Sequence, residues 1–176
     1  MVTRRQGREW AVQMLVQFDL NQPESLDAAI EAFWDQQIQL EAEMLADGEG
    51  RVPRIVFSTP DPGEKEALSE TRAFTEARVR GVCADREMLD ARIGEHLRNW
   101  SLYRLGTVER NVLRLGAWEL IHCADIPAPI LVNEAIDLAK FFSETKSGKF
   151  VNGVLDNLAK SLRSGSAAET FTPACG

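Results

Sequence analysis

The stretch from residue 130 to residue 158, ILVNEAIDLAKFFSETKSGKFVNGVLDNL, constrains the fold more than any other part of the chain. Apolar residues recur there at steps of three and four, the spacing of one helix face. They are Val132, Ile136, Ala139 and Phe142 on one side, and Phe150, Val151, Val154, Leu155, Leu158 and Leu162 on the other. The polar residues 143–149 between them are too few for more than a tight connection. The sequence therefore predicts a helical hairpin with Lys146 and Lys149 at its tip.

Helical spacing also marks the segments before this hairpin. Thr3 with Gln6 is typical of a capping box that opens a first helix, and Ser25 is a suitable N-cap for a second. The longest helical pattern covers residues 64–97, and Thr107 can cap an unusually apolar helix that we expect to be central. No segment shows the alternation of a β-strand. The pattern predicts one all-α domain, a compact bundle of about six or seven helices.

The domain is expected to cover residues 1–163, followed by a flexible tail over 164–176. Residues 41–64 lose helical periodicity and are rich in glycine and proline, so we interpret them as a partly disordered loop insertion. Gly81 and Gly153, which interrupt helical patterns, are expected to allow close helix packing.

The overall charge disfavours a nucleic-acid-binding protein, because the net charge is −7 and the isoelectric point is about 5.0. Eight of the acidic residues lie within residues 23–50, where there is no Lys or Arg. A basic patch elsewhere in the chain is therefore compatible with the negative net charge. Three cysteines without CxxC spacing fit a reducing compartment. With no apolar run long enough to cross a bilayer and no secretory signal, we expect a cytoplasmic protein that does not enter a membrane.

The residues do not predict an enzyme. His96 and His122 lack partners at metal-ligand spacing, and there is no nucleophile elbow, phosphate-binding loop or dinucleotide fingerprint. We therefore expect no catalytic residue, no metal and no cofactor.

Two groups of cations lie at predicted helix ends. Arg4, Arg5 and Arg8 fall in the first turns of a helix, where positive charge opposes the helix dipole, so an anionic partner is one interpretation and a solvated helix start is the other. Lys149 is followed by Phe150, and an aromatic ring beside a cation suits single-stranded RNA, whose bases stack while its phosphates meet the charge. Core packing is the alternative for Phe150, and the residues alone favour it.

Four stretches of the chain resemble one known family, the transcription antitermination factor NusB. The first is RRQGREWAVQML at 4–15, the second is NWSLYRLGTVER at 99–110, and the third is LRLGAWEL at 113–120. The fourth and most specific combines VNEAIDLAK at 132–140 with KFVNGVLD at 149–156. Their order and spacing agree from the first helix to about residue 162.

The resemblance implies an all-helical fold in two packed halves and a binding role. It implies binding of the single-stranded boxA element in nascent ribosomal RNA transcripts, together with the ribosomal protein NusE, within the RNA polymerase antitermination complex. The RNA-binding residues carried over are Arg4, Arg5, Arg8, Lys149 and Phe150, to which Lys146 is added from its place at the hairpin tip. The protein partner is implied near Glu109. The alternative is a protein-interaction module that has lost RNA binding, such as a homodimer that buries the hairpin.

Overall fold

A computed structural model of the chain describes residues 3–46, 62–97, 101–143 and 146–165. Within these ranges there are seven α-helices, one short 3-10 helix and no β-strand, which confirms the all-α class. The α-helices are α1 (Arg4–Asn21), α2 (Leu26–Ala46), α3 (Pro62–Ala84), α4 (Arg86–Gly94), α5 (Thr107–His122), α6 (Ala128–Phe142) and α7 (Lys146–Gly165), and the 3-10 helix is Leu102–Arg104. The chain divides into two compact units, Met1–Ala77 and Arg78–Gly176, with the boundary inside α3.

The first unit contains α1, α2 and most of α3. The predicted caps are present: the Thr3 hydroxyl accepts a hydrogen bond from the backbone N–H of Gln6 at 3.3 Å, and the Ser25 hydroxyl accepts one from Ala28 at 3.3 Å. The Trp10 and Trp34 rings meet edge to face, with centroids 5.2 Å apart, inside the apolar core of this unit.

The second unit is built around α5. Every residue from 111 to 119 is buried, so the expectation of a central helix is confirmed. Gly116 allows α6 and α7 to approach, because a Cβ atom there would lie 2.6 Å from Leu155 Cδ1 and 3.2 Å from Ala135 Cβ. Two ion pairs link the surrounding helices to α5. Arg78 Nε lies 2.7 Å from Glu119 Oε1, and Arg114 Nε lies 2.7 Å from Asp90 Oδ1.

The predicted hairpin of α6 and α7 is present, but its connection is shorter than expected. α7 begins at Lys146, so Lys146 and Lys149 occupy the first turn of a helix and not the tip of a turn. On α7 the predicted buried face is confirmed for Val151, Val154, Leu155 and Leu158. On α6 the most deeply buried residues also include Leu131, Ala135 and Leu138, which lie beside the predicted stripe.

Other boundaries differ from the sequence-based expectation. The long helical pattern over 64–97 forms two helices, because the helix is interrupted at Asp85 between α3 and α4. Thr107 is the first residue of α5 and Gly106 is its N-cap. Helices α2 and α3 extend into both ends of the predicted insertion, and residues 47–61 lie outside the described residues. Residues 164–165 belong to α7, and 166–176 lie outside the described residues. The limits of the domain and of the tail stay predictions.

Candidate nucleic-acid interface

The start of α1 carries the three predicted arginines and no acidic residue in its first turn. Arg4 is exposed, and the side chain of Arg5 is 40% exposed and pairs with Glu9 at 3.2 Å. Arg8 differs, because only 5% of its surface is exposed. Within this cluster, Arg4 and Arg5 are therefore the side chains that an external anion can reach directly.

Arg4 and Arg8 share an aromatic partner that sequence reasoning missed. Their guanidinium carbons lie 5.6 Å and 5.4 Å from the centroid of the Phe74 ring on α3. At these distances the ring quadrupole attracts each cation. Phe74 therefore attracts two cations at the start of α1, where the helix dipole alone would disfavour them. Its separation of about 70 positions from Arg4 leaves no local signal in the sequence.

Gly7 makes this arrangement sterically feasible. A Cβ atom at Gly7 would lie 2.8 Å from Phe74 Cδ1, too close for an undisturbed contact. The Thr75 hydroxyl lies 3.1 Å from the carbonyl oxygen of Gly7 and 2.7 Å from that of Thr71, so it is placed to donate to either. The absence of a side chain at Gly7 thus lets α1 approach α3 at the level of the arginines.

The start of α7 carries the second predicted group. Lys149 is exposed, and Phe150 is half-buried, so part of its ring packs and part faces outward. Lys146 opens the helix, and its side chain lies outside the described residues. The first turn of α7 contains no acidic residue, so its backbone N–H groups and Lys149 present positive charge together. The arginines belong to the first unit and this group belongs to the second.

Glu109, the predicted partner contact, lies in the first turn of α5 and reaches the start of α7. Ser147 donates a hydrogen bond from its hydroxyl to Glu109 Oε1 at 2.9 Å. Burial by itself would raise the pKa of Glu109, but hydrogen bonds from its own backbone N–H and from the hydroxyls of Ser147 and Ser143 outweigh it and lower the pKa below the ordinary value of 4.5. The carboxylate therefore stays ionised and holds the start of α7 against α5.

No group of three or more His, Cys, Asp or Glu residues that could hold a metal occurs within the described parts of the chain. The two histidines lie among packing residues of the second unit: His122 stacks on Trp118 with ring centroids 4.9 Å apart, and His96 Nε2 lies 3.3 Å from the Ser161 hydroxyl. Among the described helices, none combines the length and apolar character needed to cross a membrane.

Comparison with known proteins places these features in one family. The NusB family model matches residues 5–160. The NusB antitermination protein of Methylacidiphilum infernorum (isolate V4) is 33% identical over 160 residues, covering 91% of this chain and 92% of the relative. That of Sorangium cellulosum (strain So ce56) is 37% identical over 164 residues, covering 92% of this chain and 95% of the relative.

Solved structures agree with the sequence relatives. NusB of T. maritima superposes with a TM-score of 0.65 at 33% identity, covering 90% of this chain and 92% of that one. A crystal structure of the antitermination factors NusB and NusE in complex with double-stranded RNA matches with a TM-score of 0.59 at 28% identity, covering 90% of this chain and 96% of that one. The chain belongs to the NusB family.

Proposed function

We propose that this protein is a transcription antitermination factor that binds boxA-type single-stranded RNA of nascent ribosomal RNA transcripts together with the ribosomal protein NusE. The observation that carries the proposal is the cluster at the start of α1. In a chain of net charge −7, three arginines crowd one helix end without an acidic residue in its first turn. Such a cluster is stabilised when an anion binds to it.

Arg4 and Arg5 have the exposure needed to contact RNA phosphates, and a guanidinium can donate two parallel hydrogen bonds to one phosphate. Arg8 contributes its positive charge without direct contact with the RNA, because it is buried against Phe74. We therefore assign direct phosphate contacts to Arg4 and Arg5, and to Arg8 the role of supporting the positive potential at the same helix end.

The start of α7 supplies the aromatic contact. The outward part of the Phe150 ring offers a surface on which an unpaired base can stack, while Lys149 and Lys146 meet the adjoining phosphates. Since bases inside a duplex already stack on one another, this contact favours single-stranded RNA.

Assembly with protein partners completes the proposed role. A carboxylate has about four acceptor positions, so Glu109 can accept a hydrogen bond from NusE while it holds Ser147. The relative crystallised with NusE and RNA supports this pairing. The complex would act on RNA polymerase in the cytoplasm by binding alone, without catalysis, metal or cofactor.

The test is fluorescence anisotropy of a labelled boxA-type RNA with the wild type, the Arg4→Ala/Arg5→Ala variant and the matched control Arg92→Ala, which removes an exposed arginine of α4. We expect the double variant to bind roughly tenfold or more weakly and its salt slope to fall by about 1.4, the value for two lost phosphate contacts on a single strand. Equal affinities for the double variant and Arg92→Ala would contradict the proposal. A duplex of the same sequence should bind more weakly than the single strand.

A second candidate is the homodimer that buries the hairpin. Two large apolar residues of α6 are exposed, Ile130 at 52% and Phe141 at 60%. They lie eleven positions apart, so both fall on one side of the helix. Sedimentation equilibrium of the wild type and of Phe141→Ser tests this candidate. The homodimer requires that the wild type is dimeric and that the variant dissociates.

A further inference from the structure

The outer face of α7 continues beyond the residues assigned above. At about 100° per residue, eight residues fall within one sector of roughly 140°. They are Lys149, Asn152, Gly153, Asp156, Asn157, Lys160, Arg163 and Ser164, and all are exposed except the half-buried Asp156. The partly open ring of Phe150 borders the same sector. The opposite face packs into the second unit through Val151, Leu155 and Leu158.

This outer face is polar and positively charged. It carries three cations and one carboxylate, whereas the whole chain has a net charge of −7. Asp156 Oδ2 pairs with Lys160 Nζ at 2.6 Å in the middle of the face, so the excess positive charge lies towards its ends, at Lys149 and Arg163. The two asparagines add amides that can both donate and accept hydrogen bonds.

Gly153 lies on this face, and no contact among the described residues requires a glycine there. A Cβ atom there would meet no atom of the described residues within 4 Å. By contrast, a Cβ atom at Gly81 would collide with the Trp118 ring, and one at Gly116 would lie 2.6 Å from Leu155 Cδ1. An exposed glycine inside a helix costs stability relative to alanine. At Gly153 this loss of stability is not offset by closer packing within the described chain. The missing side chain leaves the helix backbone open to close approach by a ligand.

We propose that an RNA strand runs along the outer face of α7 and approaches the helix most closely at Gly153, with Asn152 and Asn157 as base-edge or sugar contacts. The inference rests on the proposed function and extends its RNA surface from Lys149 and Phe150 along the helix. The missing side chain at Gly153 leaves room for a sugar or a base between the flanking amides.

The chemistry of the face favours RNA over a protein segment. A protein-docking face would be expected to offer apolar anchors at its centre. The middle of this face instead holds the ion pair of Asp156 and Lys160, and a glycine and two amides lie around it. Positive charge at both ends suits a polyanion that passes along the helix. The 14 positions between Lys149 and Arg163 correspond to about 21 Å of helix, enough for several nucleotides.

The test compares Gly153→Ala and Gly153→Leu with Gly94→Ala, which changes another exposed helical glycine with open space around its Cβ position. Thermal melting and anisotropy with a boxA-type RNA are measured for each full-length variant. Both alanine variants should melt at or above the wild-type temperature, because alanine is the better helix former. RNA affinity should fall about threefold for Gly153→Ala and roughly tenfold or more for Gly153→Leu, and stay unchanged for Gly94→Ala.

The outcomes separate this inference from the proposed function. If the wild type binds RNA and Gly153→Leu binds it equally well, the inference is wrong and the proposed function stands. If the wild type binds no RNA with or without NusE, both are wrong. Binding of NusE in the absence of RNA is measured as well. A loss of that binding in Gly153→Leu, with RNA affinity kept, would assign the face to protein contact and overturn the RNA path.

Discussion

The buried ion pair between Arg78 and Glu119 gives the sharpest stability prediction. Both side chains are only 2% exposed, and Arg78 Nε lies 2.7 Å from Glu119 Oε1. The variant Glu119→Gln keeps the shape of the side chain and removes its charge. Arg78 then remains buried as a cation beside a neutral amide, an arrangement that low-dielectric surroundings penalise strongly.

The expected cost follows from the burial of both partners. Removing one member of a buried pair costs about 3–5 kcal/mol, and the amide of Gln still offers an acceptor, so we expect about 3 kcal/mol for Glu119→Gln. For a chain of this length, 1 kcal/mol corresponds to roughly 2–4 °C, so the melting temperature should fall by roughly 6–12 °C. Urea unfolding followed by circular dichroism measures the free-energy change directly.

The matched control is Asp156→Asn, which neutralises a carboxylate that is far less buried than that of Glu119. Asp156 and Lys160 lie 2.6 Å apart, with side chains 46% and 64% exposed. Solvent screening limits such a pair to about 1 kcal/mol or less. If Glu119→Gln destabilised the protein no more than Asp156→Asn does, the reasoning from burial would be refuted.

Three further predictions concern the second unit. The pKa of Glu109 is lower in the folded state than in the unfolded state, so its carboxylate stabilises the fold above the unfolded pKa. This stabilisation is lost as the pH falls through the folded pKa. The urea midpoints of the wild type and of Glu109→Gln should therefore differ at pH 7 and converge in acid. Equal midpoints at pH 7 would contradict the contact with Ser147. Val154→Asp places a charge at a site that is 4% exposed and should abolish the cooperative thermal transition, which an unchanged melting curve would disprove. Gly81→Ala should cost about 1–3 kcal/mol in urea unfolding because its methyl group meets the Trp118 ring, and a gain in stability would show that the ring moves aside freely.

Sequence periodicity predicted the hairpin well because the buried face of α7 is regular. It failed at the helix start, where residues 146–149 (Lys-Ser-Gly-Lys) have the composition of a turn. The structure makes these residues helical, and Ser147 is held by Glu109 from α5. A contact over 38 positions has no signature in a local pattern. The break at Asp85 was missed for a related reason, since the apolar spacing continues across it.

The candidate site shows the same limit. Arginines at a helix start are visible in the sequence, and their number at one end suggested an anionic partner. The ring of Phe74 that holds two of them, and the burial of Arg8, depend on how α3 packs against α1. Glycines are equally ambiguous. Gly81 packs against Trp118 as predicted, whereas no described residue packs against the Cβ position of Gly153, and the prediction for it was wrong.

The most direct test of the account is the anisotropy of a labelled boxA-type RNA with wild-type protein, with and without NusE, at two salt concentrations. RNA binding should strengthen when NusE is present and weaken as salt rises, because phosphate contacts release counterions. A folded protein that binds no RNA, with or without NusE and at both salt concentrations, would contradict the proposed function and favour the protein-interaction module.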